Sequence, residues 1–142
     1  MKIIPLNKET ALANINRLIE INKELDLDPW TVDNFLIDLD GKWRYSLIAL
    51  ENDQIVGFLI CSVKENNTLH IHKIAIVSKY QRRGVGTLLM KHLFSNCNEY
   101  NIKYISVKTK KNNVNAQRFY ERQDFKRIGS DGPNYVYKKE MK

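Results

Sequence analysis

The chain has 142 residues, 43% hydrophobic and 27% charged, the proportions of a globular protein rather than a disordered one, and a length suited to one domain over 1–142. Its net charge of +7 is divided: residues 1–71 carry 7 Lys and Arg against 11 Asp and Glu, a net of −4, whereas residues 72–142 carry 16 against 5, a net of +11. No apolar run approaches a membrane span, and Met1-Lys2-Ile3-Ile4-Pro5 is too short and too soon broken for a signal peptide, so no membrane partner and a cytoplasmic location are expected.

In chain order, Ile3-Ile4 reads as a short first strand. Leu12, Ile15, Leu18, Ile19, Asn22 and Leu25 recur at helical spacing and predict one amphipathic helix from about Lys8 to Leu25. Asp28-Pro29-Trp30 stops it, and Pro29 is placed to open a second helix through Leu39, before a turn at Asp40-Gly41. Tyr45–Leu50 and Gln54–Val63 predict a hairpin around Glu51-Asn52-Asp53, and Thr68–Val77 pairs next through Asn66-Asn67. Val85, Leu88, Leu89, His92 and Leu93 lie on one helical face. Tyr104–Lys108 is a strand, Asn113–Arg122 a short helix, and Phe125–Ile128 and Tyr135–Lys139 final strands around Asp131-Gly132-Pro133. The pattern predicts an α/β (α+β) chain with a mixed, mostly antiparallel sheet of six to seven strands and about four helices. Cys61 and Cys97 form no CxxC and read as idle thiols in a reducing compartment.

Between the third hairpin strand and the long helix stands Gln81-Arg82-Arg83-Gly84-Val85-Gly86. A basic, glycine-containing turn that opens a helix suits phosphate: free N–H groups point out of the helix start, its dipole favours an anion, and glycine admits the ligand to the backbone. Neither the P-loop nor the dinucleotide fingerprint matches. The basic half suits a polyanion, either nucleic acid or a phosphorylated cofactor. His70 and His72 stand two apart on a strand, share a face, and titrate near neutrality, which suits a general base. No third ligand accompanies them, so no metal is expected.

The loop resembles the Q/R-x-x-G-x-G/A of the GNAT N-acetyltransferase family. Asn113-Val114-Asn115-Ala116-Gln117-Arg118-Phe119-Tyr120 fits that family's N-x-x-A-x-x-x-Y, and Phe125 closes its "YExxGF". The resemblance covers residues 43–139 and implies the acyl-CoA N-acyltransferase fold, in which the fourth and fifth strands splay to admit the pantetheine arm. It implies that Gln81, Arg82, Arg83, Gly84, Val85, Gly86 and Thr87 grip the pyrophosphate of acetyl-CoA. Ile74, Ala75, Ile76 and Val77 would offer a backbone N–H to the thioester oxygen, Asn113 and Ala116 would line the cofactor, and Tyr120 would protonate the leaving thiolate. In histone acetyltransferases of the family the catalytic glutamate matches His70, and in arylalkylamine acetyltransferases "HLH" matches His70-Ile71-His72 and "FYER" matches Phe119–Arg122.

Ribosomal-protein alanine N-acetyltransferases are similar at Pro29-Trp30 and in "IAV…QRRGLG". Their catalytic glutamate on the fifth strand matches Lys108, which cannot be that base. Asp124 replaces the usual glycine before Phe125, and Asp tolerates left-handed geometry. The resemblance implies acetyl transfer from acetyl-CoA to a primary amine, by direct attack in a ternary complex. The acceptor is either a small molecule or a protein amine, including a protein N-terminus. A histidine base would give the rate a limb near pH ~6–8. Two other classes compete: a basic nucleic-acid-binding module, against which stand the Gly-x-Gly spacing and the lack of an RNP-like aromatic pair, and a non-catalytic acyl-CoA-binding regulator, which would not need Tyr120 or the histidines. Nucleic acid is not expected as a partner, and a monomer or homodimer is.

Overall fold

The computed structural model describes residues 1–25 and 28–142. Its strands are β1 (Lys2–Pro5), β2 (Leu47–Glu51), β3 (Gln54–Lys64), β4 (Thr68–Ile76), β5 (Tyr104–Lys110), β6 (Lys126–Asp131) and β7 (Asn134–Glu140). Its helices are α1 (Lys8–Ala13), α2 (Ile15–Glu24), α3 (Val32–Leu36), α4 (Lys42–Tyr45), α5 (Val85–Glu99) and α6 (Val114–Arg122). The seven strands form one sheet in the order β1-β2-β3-β4-β5-β7-β6, antiparallel everywhere except at β4 and β5. Helix α5 makes the crossover that a parallel pair requires.

The helical segments depart from expectation in three places, and the described residues hold six helices where about four were expected. The first helix is broken at Asn14, which leaves helical geometry (φ −117°, ψ 20°) while its side-chain amide donates to the Thr10 carbonyl at 2.9 Å. Asparagine offers the backbone this competing bond. The break turns Leu12 outward, 60% exposed, while Leu18, Ile21 and Asn22 stay buried on α2. The second helix starts after Thr31, not at Pro29. Thr31 accepts the Asn34 N–H at 3.2 Å and Asn34 Oδ1 accepts the Thr31 N–H at 2.8 Å, a reciprocal cap. It ends at Leu36, with Ile37 as its C-cap, instead of Leu39, and Lys42 takes over its last carbonyls: the buried ammonium donates to Phe35 and Ile37, each at 2.7 Å. Lys42 reaches them from α4, a short helix opened by Gly41 at φ +68° that periodicity cannot reveal.

Strand β3 is buried on both alternations from Ile55 to Ser62, because α2 and α4 as well as α5 cover the sheet centre. Strand β5 alternates instead: Ile105, Val107 and Thr109 are buried, whereas Lys108 and Lys110 are exposed. One face of the sheet is therefore open beside β5. Strands β4 and β5 pair only from Thr68↔Tyr104 to Ile71↔Val107. Beyond that point they separate, and the expected gap opens between Lys73–Ile76 on one side and Lys108–Lys110 on the other.

Candidate functional site

At one end of this gap lies the glycine loop. Arg82 (φ +61°) and Gly84 (φ +81°) turn the chain into α5, and Gly84 is its N-cap. Asn7, Thr31 and Asn113 cap α1, α3 and α6 with side chains, but no side chain caps α5. Its first-turn N–H groups are left for a ligand. A Cβ on Gly84 would meet nothing within 4 Å, so the space in front of those amides is open. Gln81 ties the loop to β4 by donating to the Ile76 carbonyl at 2.9 Å. Arg82 and Arg83 are exposed, and Val85 and Gly86 are buried where α5 meets Ile76 and Phe119. The uncapped amides, flanking arginines and open approach fit a pyrophosphate.

The register of β4 narrows its four candidates. Val77 donates its N–H to Val56 at 2.9 Å, so by the two-residue period Ala75 also faces β3. The N–H groups of Ile74 and Ile76 then point the other way, into the gap from which β5 has departed. Asn113 and Ala116 close the start of α6, where Asn113 Oδ1 accepts the Ala116 N–H at 3.1 Å.

Tyr120 is 4% exposed and packs edge-on against Phe119 and Phe125. Burial pushes its phenol up, so it holds its proton, and its hydroxyl makes no hydrogen bond among the described residues. Cys61 and Cys97 are free and buried; burial pushes both thiols up, that of Cys97 to about 12, which leaves neither reactive.

His70 and His72 meet edge-to-face with ring centroids 5.1 Å apart. His70 Nδ1 lies 2.8 Å from Ser106 Oγ, and His72 Nε2 lies 2.6 Å from Ser62 Oγ. His72 is an extra residue in β4: Ile60 pairs with Lys73 and Cys61 with Ile71, which leaves His72 on a bulge. Burial, then His70, Lys64 and Lys42, pulls His72 down to about 4; burial, then Lys64 and Lys108, lowers His70 as well. His72 therefore does not keep the near-neutral titration expected from residue type, and His70 is shifted in the same direction. Burial and the surrounding lysines, which carry this difference, are set by the fold and not by residue type.

Lys108 donates to Asp131 at 2.6 Å and is engaged in the β6–β7 hairpin. Asp124 adopts φ +67°, the left-handed geometry expected of a residue in the glycine's place. Around Lys73, the residue after His72, three others gather: Asn22, Asp28 and Trp30. The ammonium of Lys73 donates to Asn22 Oδ1 at 2.6 Å and to the Asp28 carbonyl at 2.7 Å, and lies 4.7 Å from the Trp30 ring centroid. A surface hollow lined by Phe94, Asn98, Lys138 and Met141 holds none of the loop, gap or histidine residues. Among the described residues, no helix is long and apolar enough to cross a membrane.

The profile of the Acetyltransferase (GNAT) family matches residues 11–125. The chain is 32% identical over 117 residues to the [ribosomal protein bS18]-alanine N-acetyltransferase of Haemophilus influenzae, covering 82% of this chain and 77% of that one. It is 24% identical over 131 residues to N-alpha-acetyltransferase 30 of Xenopus laevis, covering 89% of this chain but spanning only about half (47%) of that relative. Its fold is similar to Ard1 from Thermoplasma volcanium (TM-score 0.86, 23% identity, 99% and 97% of the two chains). It is also similar to the PaiA N-acetyltransferase from Thermoplasma acidophilum solved with coenzyme A (TM-score 0.81, 16% identity, 98% of each chain).

Proposed function

Because the chain belongs to the GNAT acetyltransferase family and is an acetyl-CoA-dependent N-acetyltransferase, we propose that it acetylates a primary amine by direct attack in a ternary complex, and that the amine is an N-terminal α-amino group. Acetyl-CoA supplies the activated acetyl group. The uncapped start of α5, with Arg82 and Arg83, holds its pyrophosphate, and the gap between β4 and β5 receives its thioester end. The N–H groups of Ile74 and Ile76 stand where charge grows on the thioester oxygen. As the nitrogen–carbon bond forms and the carbon–sulfur bond breaks, the amine's proton leaves towards the histidine pair or a water it holds. Tyr120 returns a proton to the thiolate.

The choice of an α-amine rests on the lowered histidines. A base lowered from 6.5, to about 4 in His72, is poorly matched to an alkylammonium, whose ordinary pKa is about 10.4, but an α-amino group of about 7.7–8.0 is already partly neutral near pH 7–8. The similarity to relatives named for N-terminal acetylation supports the same acceptor. The observation that carries the reading is the gap itself, with an anion-holding loop at one end and two serine-held histidines at the other. An acetyl-CoA turnover screen by thiol release, across N-terminal peptides, lysine side-chain peptides and alkylamines, tests it. Turnover confined to alkylamines would overturn the α-amine assignment.

A further inference from the structure

The face of the gap that carries the histidines is cationic. Among the described residues, the charged groups that act on His72 are His70, Lys64 and Lys42, those that act on His70 are Lys64 and Lys108, and none of them is an acid. Lys73 follows His72 directly, two residues beyond the last pairing of β4 with β5, and Lys110 lies three residues beyond it on the opposite strand. Both reach the same residue: Lys73 takes the Asp28 carbonyl at 2.7 Å, and Lys110 takes Asp28 Oδ1 at 3.1 Å. Asp28 thus bridges the two separated strands at the open side of the gap.

The two ammonium groups differ in how they are held. Lys110 and Asp28 are mostly exposed, and Lys108 and Asp131 are about half exposed; such surface pairs exchange readily with a better partner. Lys73 is half-buried and fixed. The buried Asn22 receives it through Oδ1 and grips the Asp28 carbonyl through Nδ2 at 3.1 Å, and Trp30 closes one side. Its hydrogen-bond partners among the described residues are two neutral oxygens, a ring lies beside it, and the Asp28 carboxylate acts on it through space without a hydrogen bond. A pre-placed cation with neutral hydrogen-bond partners, beside a second cation on an exchangeable pair, is a receptor for a carboxylate.

Resting on the acceptor being an amine, we infer that it carries a carboxylate close to that amine, held between Lys73 and Lys110 with displacement of Asp28 from Lys110. The same charges that draw the carboxylate repel an ammonium, so they favour the neutral amine that attack requires. A polycationic amine gains nothing here and is excluded.

The test is kcat/KM for acetyl transfer to three alanine-started pentapeptides that differ only in glutamate, glutamine or lysine at the second position. Glutamic acid α-amide and glutamine α-amide are assayed alongside. The glutamate peptide should exceed the glutamine peptide by about tenfold, as one charge-assisted hydrogen bond predicts, with the lysine peptide poorest. In the Lys73→Met/Lys110→Gln protein the ratio should fall to near one. Lys110→Glu, an exposed change that keeps Lys73 and its packing, should reverse the order in favour of the lysine peptide. A preference seen only in the peptides makes the source a polypeptide N-terminus, and one shared by the free amides extends it to small molecules. Equal use of the glutamate and glutamine acceptors, or a preference that survives in the double variant, overturns the carboxylate site alone. No transfer to any acceptor by protein that binds acetyl-CoA overturns the amine reading and this one with it.

Discussion

Tyr120 is the residue where packing and chemistry separate most cleanly. Its ring is held by Phe119 and Phe125, while its hydroxyl bonds to no described residue. Tyr120→Phe should therefore melt close to the parent and keep its acetyl-CoA affinity, yet lose roughly 10²-fold in turnover. Parent-like turnover would make the tyrosine a core aromatic only. The histidines carry a second prediction. An unfolded histidine takes its proton near pH 6.5, but His72 in the fold resists down to about pH 4. The stability from keeping it neutral is fully present above about pH 6.5 and is lost as pH falls towards 4. Thermal melts from pH 7 to pH 4 should decline less steeply for His72→Gln than for the parent; parallel curves would contradict the lowered pKa. Residue type and spacing drew attention to the two histidines in the sequence, and the family resemblance to Tyr120. Their protonation was not visible, because it is set by burial and, for the histidines, by Lys42, Lys64 and Lys108, which only the fold brings around them.

At the scale of elements, the legible part was the run β4, glycine loop, α5, in which an apolar strand, a turn and one helical face follow without interruption. Gly84→Val tests that unit. Valine is strained at φ +81° and would project into the open space before the α5 amides, so acetyl-CoA affinity measured by calorimetry should drop while the protein stays folded. Undiminished affinity would remove the loop from the site. The segment before β2 was less legible because its boundaries depend on single polar contacts. Asn14 breaks a helix whose apolar spacing runs on, and Lys42 ends α3 from a helix of four residues. Lys42→Met should leave the Phe35 and Ile37 carbonyls without their donor and cost about 1–3 kcal/mol, read from denaturant unfolding. The bulge at His72 belongs here too, since a count along the strand cannot reveal that one residue has no opposite partner.

Over the whole molecule, the divided charge was readable from the start and has a kinetic consequence. The net +11 of residues 72–142 includes the loop and the start of α5, the place we propose for the anionic phosphates. Acetyl-CoA association should therefore slow, and its KM rise several-fold, between about 0.02 and 0.3 M salt, as the screening length shrinks towards the size of the site. A salt-independent KM would assign the charge to solvation alone. The split could not say that Lys108 and Lys110 stand on the exposed alternation of β5 beside the gap, because strand alternation decides which face each one occupies.

The parting of β4 from β5 leaves the sheet as an unfinished ladder, with the Ile74 and Ile76 amides offered to whatever enters. A guest that supplies the missing acceptors completes the sheet from within, and the energy of completion belongs to the folded state alone. At a ligand concentration one hundred times its Kd this adds about 2.7 kcal/mol to the stability of a domain whose total is only about 5–15 kcal/mol. The persistence of this chain against unfolding and proteolysis would then rise and fall with the supply of activated acetyl groups, making its abundance a slow readout of the currency it spends.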